Sequence, residues 1–278
     1  MEQKHSQIKE LQAVALALFK DFLQVCGTLG LRYYVLGGTA LGAVRHKGFI
    51  PWDDDIDVGM PRADYQVFLE KAQALLPESV FLQTFETYPE FYANFAKLRN
   101  SSTTFIETSL RNSNINHGVY IDIFPLDDYP DGKWDRFWVK ARSMLLNGRL
   151  AAAFYYDDPL PLRSRLKHTI CKIPCPSLDK ALRDRDLLMR SCRSGSILAN
   201  YCGAWGEKEF VPAEWFSDGC ELEFEGLPVR VPKEYHRYLT QLYGDYMTPP
   251  PPEKRIGHHY ADVIDLHKPY TAYRSKQP

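Results

Sequence analysis

Between Pro51 and Met60 the chain reads PWDDDIDVGM, with four aspartates in five positions, the last two interleaved with Ile56 and Val58. Strict alternation over these residues is the period of a β-strand with one face in a core. Asp55 and Asp57 then share one side, and Ile56 and Val58 the other. Two carboxylates about 4 Å apart repel by roughly 4 kcal/mol at an effective dielectric of 20. A strand built this way must either keep its acidic side in water or meet a compensating cation there. Asp53 and Asp54 are turn residues or helpers, depending on where the strand begins.

The flanking residues bear on that choice. LRYYVLGG (31–38) reads as a strand entering a glycine turn, and TALGAVRHKG as a short helix with Thr39 as its N-cap. Glycines at a strand-to-helix junction let a ligand approach the backbone, and the helix N-terminus offers N–H groups to an anion. Such a turn is also common with no ligand at all. Further on, GVYIDIFPLD sets Asp122 between Ile121 and Ile123. A carboxylate inside so apolar a strand is costly to bury without a partner; the other reading is a strand-end aspartate capping a turn. Taken with Asp55 and Asp57, Asp122 would be a third ligand from a separate strand, an arrangement that holds magnesium in phosphoryl and nucleotidyl transfer.

The rest of the chain is organised around this unit. Residues 7–27 have helical apolar spacing, ended by Gly27 and Gly30, and residues 63–77 form a second helix stopped by Pro77. SVFLQTFE, ANFAKLRNSSTTFIE and GVYIDIFPLD are strand-like. The expected fold class is α+β: a mixed sheet flanked by helices over residues 1–130, with a mainly helical second lobe over 131–278 packed on it. That lobe contains a hairpin at 220–232, a helix from PKEY to Gly244, and a tail beyond TPPPPE draped on the surface.

A net charge of −1 gives no basic excess of the kind nucleic-acid binding requires, so no nucleic-acid partner is expected. The N-terminus has charges among its apolar positions, and there is no unbroken run of roughly 18 apolar residues, so a cytoplasmic protein is expected. The six cysteines are read as reduced thiols, although Cys171, Cys175, Cys192 and Cys202 have an irregular zinc-like spacing.

Two glycines, then D-x-D, then a distant aspartate in a strand is similar to the pattern of DNA polymerase β-type nucleotidyltransferases. More narrowly, LGGTALGAVRHKGFIPWDDDIDVGMPRADY (36–65), IDIFPLD (121–127) and the VPKEY…YLTQLYGDYM segment (231–247) resemble the LicD family. The resemblance implies a nucleotidyltransferase-type fold. It also implies a Mg²⁺- or Mn²⁺-dependent transfer of phosphocholine from CDP-choline to a hydroxyl of a glycan precursor of the teichoic acid or lipopolysaccharide type, with release of CMP. Relatives move other CDP-activated groups such as ethanolamine, glycerol or ribitol, and more distant ones move NMP from NTP to a small molecule. Carried onto this chain, the resemblance makes Asp55, Asp57 and Asp122 the metal ligands and catalytic carboxylates. Gly37, Gly38 and Thr39 would cradle phosphate.

Arg45 and Lys47 precede the acidic strand and are candidates for the diphosphate, as are Lys97 and Arg99, which are two apart and share a strand face. Arg62 is read as pairing with an aspartate or with the ligand. Trp52 is expected beneath the acidic strand, and Tyr120, Tyr155, Tyr156, Trp205 and Trp215 are available to surround a choline head. KWDRFWVKARSMLLNGRL (133–150) mixes aromatic and basic residues. It is read as a helix packed on the catalytic lobe, with peripheral contact at the inner face of a membrane as the alternative.

Overall fold

The computed structural model describes residues 2–154, 177–255, 257 and 260–276. Its first helix, α1 (Glu2–Leu29), buries Leu11, Ala15, Leu18, Phe22 and Val25, the one-face spacing read from the sequence. By length and hydropathy, Gln7–Leu29 would suffice to cross a membrane. In this fold its apolar stripe, including Phe19 and Phe22, is core, packed over the sheet.

The N-terminal lobe is a mixed sheet flanked by helices. In chain order it contains β1 (Tyr34–Val35), α2 (Gly37–His46), β2 (Asp57–Pro61), α3 (Arg62–Lys71), β3 (Val80–Gln83), β4 (Ala96–Asn100), β5 (Thr104–Glu107) and β6 (Val119–Tyr129). The central order is β1-β2-β6-β4-β3. β2 and β6 are parallel, and the other neighbours are antiparallel. Ile56, Val58, Ala96, Leu98, Ile121 and Ile123 are fully buried, so one sheet face is continuous with the main core. The opposite face carries polar side chains, because strand residues alternate.

The second lobe is mainly helical, with α4 (Lys133–Phe154), α5 (Leu178–Met189) and α6 (Tyr235–Tyr243). It also contributes strands. β7 (Ile197–Ala199) and β8 (Phe210–Pro212) extend the sheet from β6 to seven strands. β9 (Cys220–Phe224) and β10 (Leu227–Val231) form the expected hairpin around Glu225 and Gly226. The hairpin tip holds the turn after α2: the Glu225 N–H donates to the Lys47 carbonyl, and the Glu225 carboxylate accepts from the Phe49 N–H.

Three local expectations are corrected. Helix α2 starts at Gly37 with Leu36 as N-cap, so Thr39 lies inside the first turn and does not cap it. The acidic strand starts at Asp57, not Asp55. The tail is not simply draped on the surface, since β11 (Ala261–Asp265) pairs with β5 and gives that strand a partner. Cys26 is buried and free; Cys192, Cys202 and Cys220 are free and partly exposed. Cys171, Cys175, Tyr155 and Tyr156 lie outside the described residues.

Candidate active site

The parallel pairing of β2 and β6 sets Asp57 directly beside Asp122. The next pairings place Lys97 beside Asp122 and Gln83 beside Lys97. One row of polar side chains therefore crosses four strands on a single face. The pairing extends one residue upstream, because the Asp122 N–H donates to the Ile56 carbonyl at 2.9 Å. Asp55 is thereby kept close to the row, although it precedes the strand.

Over this row opens a cleft of about 920 Å³. Its walls include Asp53, Asp55, Asp57 and Asp122, together with Gly37 and Gly38 at the start of α2. The two glycines are required by the approach. Gly37 has φ +47°, and a Cβ there would lie 3.4 Å from Asp57 Oδ2; a Cβ on Gly38 would lie 2.6 Å from Asp53 Oδ2. The helix N-terminus thus sits against the carboxylates, where its dipole favours negative charge. Thr39 does a different job from the one expected of it. Its hydroxyl is buried and accepts from the Asp57 N–H at 2.9 Å, fixing the strand that carries the carboxylate. The Gly37 N–H donates to the Tyr238 hydroxyl at 3.2 Å, and the Asp53 carbonyl accepts from Gln12 Nε2 at 2.8 Å. Both ends of the acidic segment are therefore held by other elements.

Carboxylates crowd this end of the cleft. Burial raises the pKa of Asp57 well above its ordinary value, and the neighbouring charges of Asp55, Asp122, Asp53 and Glu209 raise it further. Burial likewise raises Glu209, against hydrogen bonds from the Trp205 N–H and Asn200. Tyr243 is raised by burial and then by Asp57, Asp53 and Glu209. A set of carboxylate oxygens pressed together in this way suits a hard divalent cation such as Mg²⁺ or Mn²⁺. Among the described residues, the consecutive Asp53, Asp54 and Asp55 bring ligand atoms within 4.8 Å of one another. Asp55 also lines the cleft together with Asp57 and Asp122.

The four cations named from the sequence part company. Arg45 lines the cleft and donates to the Tyr246 carbonyl; burial and then Arg255 lower its pKa. Lys47 is exposed and faces Glu223 of the hairpin at 3.8 Å, away from the cleft. Ten helical residues separate it from Gly37, roughly 15 Å along the axis. Lys97 is buried and bonded to Asp122 at 3.1 Å and Glu107 at 3.4 Å, so it reaches the site only through Asp122. Arg99 is 0% exposed, held by Glu107 at 2.8 Å and by the Gly118 carbonyl at 2.9 Å. It is part of the scaffold beneath the site. Arg62 pairs with Asp127 and Asp186, the first of its two readings.

Trp52 packs partly against the core that holds Ile56 and Val58, and it also lines the cleft with Arg255 over its ring. Among the other aromatics, Trp205 lines the cleft and meets Tyr243 edge to face at 5.0 Å. Tyr120 is buried under Lys97 and Arg99, and Trp215 packs on the core. Sequence reasoning missed Glu209, Asn200, Tyr243, Tyr246, Phe95 and Phe124, all of which line the cleft. For Tyr243 and Tyr246 there was a signal, since both fall in the quoted 231–247 segment. Asn200 and Glu209 had none.

Comparison with known proteins adds three matches. Residues 30–176 match the model of the LicD/FKTN/FKRP family, nucleotidyltransferase domain. The chain is 29% identical over 283 residues to the lipopolysaccharide cholinephosphotransferase LicD of Haemophilus influenzae, covering 95% of this chain and 100% of that protein. It is 55% identical to the human ribitol 5-phosphate transferase FKRP over 31 residues only, 11% of this chain and 6% of that protein.

Proposed function

The chain belongs to the LicD/FKTN/FKRP nucleotidyltransferase family, and on that premise we propose that it transfers phosphocholine from CDP-choline to a hydroxyl of a cell-surface glycan precursor, releasing CMP. The observation that carries this reading is the Asp57–Asp122 pair, side by side on parallel strands and joined by Asp55 at the floor of a cleft. The resemblance over nearly the full length of a cholinephosphotransferase supports the choice of donor.

In this reading Asp55, Asp57 and Asp122 would hold a Mg²⁺ ion, helped by Asp53 and Asp54. Mg²⁺ supplies neutralisation of the charge that develops on the donor's phosphate oxygens. The first turn of α2 leaves N–H groups without intrahelical acceptors, and those at Gly38 and Thr39 would face the donor's phosphate. Arg45, on the cleft wall, would contact the same diphosphate. Asp122, ion-paired with Lys97, would take the acceptor hydroxyl's proton. Trp205 and Tyr243, with carboxylates nearby, suit a quaternary ammonium head. The unit carrying the chemistry would be residues 1–130, with 131–278 closing the cleft from the other side. The reaction would take place in the cytoplasm, at the inner face of the membrane.

The short match to a ribitol 5-phosphate transferase favours a second reading, the same chemistry with another CDP-activated group. A panel of CDP-choline, CDP-ethanolamine, CDP-glycerol and CDP-ribitol with Mg²⁺, scored for CMP release and donor binding, separates the two. CMP formed from CDP-choline alone is the expected result. CMP from another donor alone would replace the head group, and pyrophosphate from an NTP would replace the reaction. Failure of every CDP donor to bind would overturn both readings.

A further inference from the structure

Helix α4 carries two opposed faces. On one, Leu146 and Leu150 are buried, and the helix packs against α5. On the other, Trp134 is 78% exposed, Trp138 62% and Met144 66%, with Phe137 and Leu145 also exposed. With Ala141 these residues recur at i, i+3, i+4, i+7, i+10 and i+11, one continuous stripe along the helix. The aromatic rings touch, Trp134 with Phe137 at 6.4 Å and Phe137 with Trp138 at 5.4 Å between centroids. Among the described residues nothing packs over this stripe. At 100° per residue, Lys133 and Lys140 fall along one edge of it and Arg142 along the other.

An apolar stripe this wide on a soluble surface needs an occupant, and its two cationic edges choose which. A second copy of the helix packed antiparallel would set the Lys133 edge against the same cationic edge of its partner. A bilayer with anionic headgroups meets both features at once: indole and phenyl rings enter the headgroup region while Lys133 and Arg142 meet phosphate. We propose that α4 is a membrane-docking element that holds the protein on an anionic phospholipid surface. The helix is also tied to the cleft. Lys140 pairs with Glu207 at 2.5 Å, and Glu207 stands between Trp205 and Glu209, both of which line the cleft.

Vesicle binding needs neither donor nor turnover, so this proposal stands or falls apart from the reaction. The test is co-sedimentation of the full chain with vesicles of phosphatidylcholine alone and of phosphatidylcholine mixed with phosphatidylglycerol. Binding should require the anionic lipid, weaken with salt and shift tryptophan emission to the blue. Replacing Trp134, Phe137 and Trp138 together by Ser should abolish it. The double variant Lys133→Glu/Arg142→Glu, which leaves the apolar stripe whole, should lower partitioning at least about tenfold. This second variant keeps the test decisive if the triple variant fails to fold. Equal binding to neutral vesicles, no binding to either, or a dimer in sedimentation velocity that the triple variant dissolves would each overturn the proposal.

Discussion

Two groups of buried charges share one face of the same sheet, and they are built on opposite plans. Beneath β4 and β6, Lys97 and Arg99 meet Glu107 and Asp122 within 2.8 to 3.4 Å, with the Tyr120 ring against both cations. Cation and carboxylate are matched, and the cluster closes on itself. One strand away, Asp57 is raised by burial and then by the charges of Asp55, Asp122, Asp53 and Glu209, so this group gathers charge of one sign. Asp122 belongs to both groups and joins them. A closed cluster stabilises a fold through its mutual bonds, whereas in an open one like charges raise the cost of ionisation. That difference sets the Asp57 group apart from the Lys97 group.

The comparison can be broken first at its open end. Asp57→Asn removes one of the repelling charges, so the prediction is opposite in sign for activity and stability. Transfer from the CDP donor should fall by roughly 10³-fold or more, while metal-free melting temperature holds or rises. Loss of both together would mean that Asp57 is part of the closed cluster instead. At the closed end, Lys97→Met leaves Glu107 and Asp122 facing each other. It should destabilise the protein by about 3 kcal/mol in urea unfolding, with donor binding lost less than stability. A neutral outcome there would remove the distinction between the two groups.

The smallest effect is a matter of pH. Burial and the surrounding carboxylates raise Asp57 above its ordinary value of 3.8. A group raised in this way holds its proton more tightly folded than unfolded, so its contribution to stability is lost as pH rises above that value. Glu209 acts in the same direction. Saturating Mg²⁺ should therefore raise the melting temperature more at pH 8 than at pH 5. At a hundredfold excess over Kd the gain at the higher pH is about 2.7 kcal/mol. An equal gain at both values would show that the cation does not meet these carboxylates.

Much of this was legible before folding. The alternation of Asp55 to Val58 marked the apolar side of β2, and Ile121 and Ile123 marked the strand around Asp122, because strand faces repeat every two residues. Apolar spacing also located α1, Pro232 and Gly244 bracketed α6, and the turn at Glu225-Gly226 located the hairpin. Lys47 and Arg99 were less legible, since sequence proximity to an acidic strand does not state direction. Lys47 ends α2 in the left-handed region, with φ 56°, and turns toward the hairpin. Arg99 lies on the same strand face as Lys97 but is drawn to Glu107. The pairing of β11 with β5 could not be read from a proline-rich tail, because strand pairing across 150 residues leaves no local mark.

By itself the sequence determined which side chains carry charge, that Ile56 and Val58 face a core, and that the acidic side would meet either water or a cation. Those are consequences of covalent order and local periodicity. Only the tertiary structure decided which groups each charge meets. Asp122 received Lys97 from the neighbouring strand, while Asp57 received the glycine end of α2 and, across the cleft, Glu209 and Tyr243. Neutralisation acts over a few ångströms, and that proximity exists only once β2, β6 and β4 lie side by side.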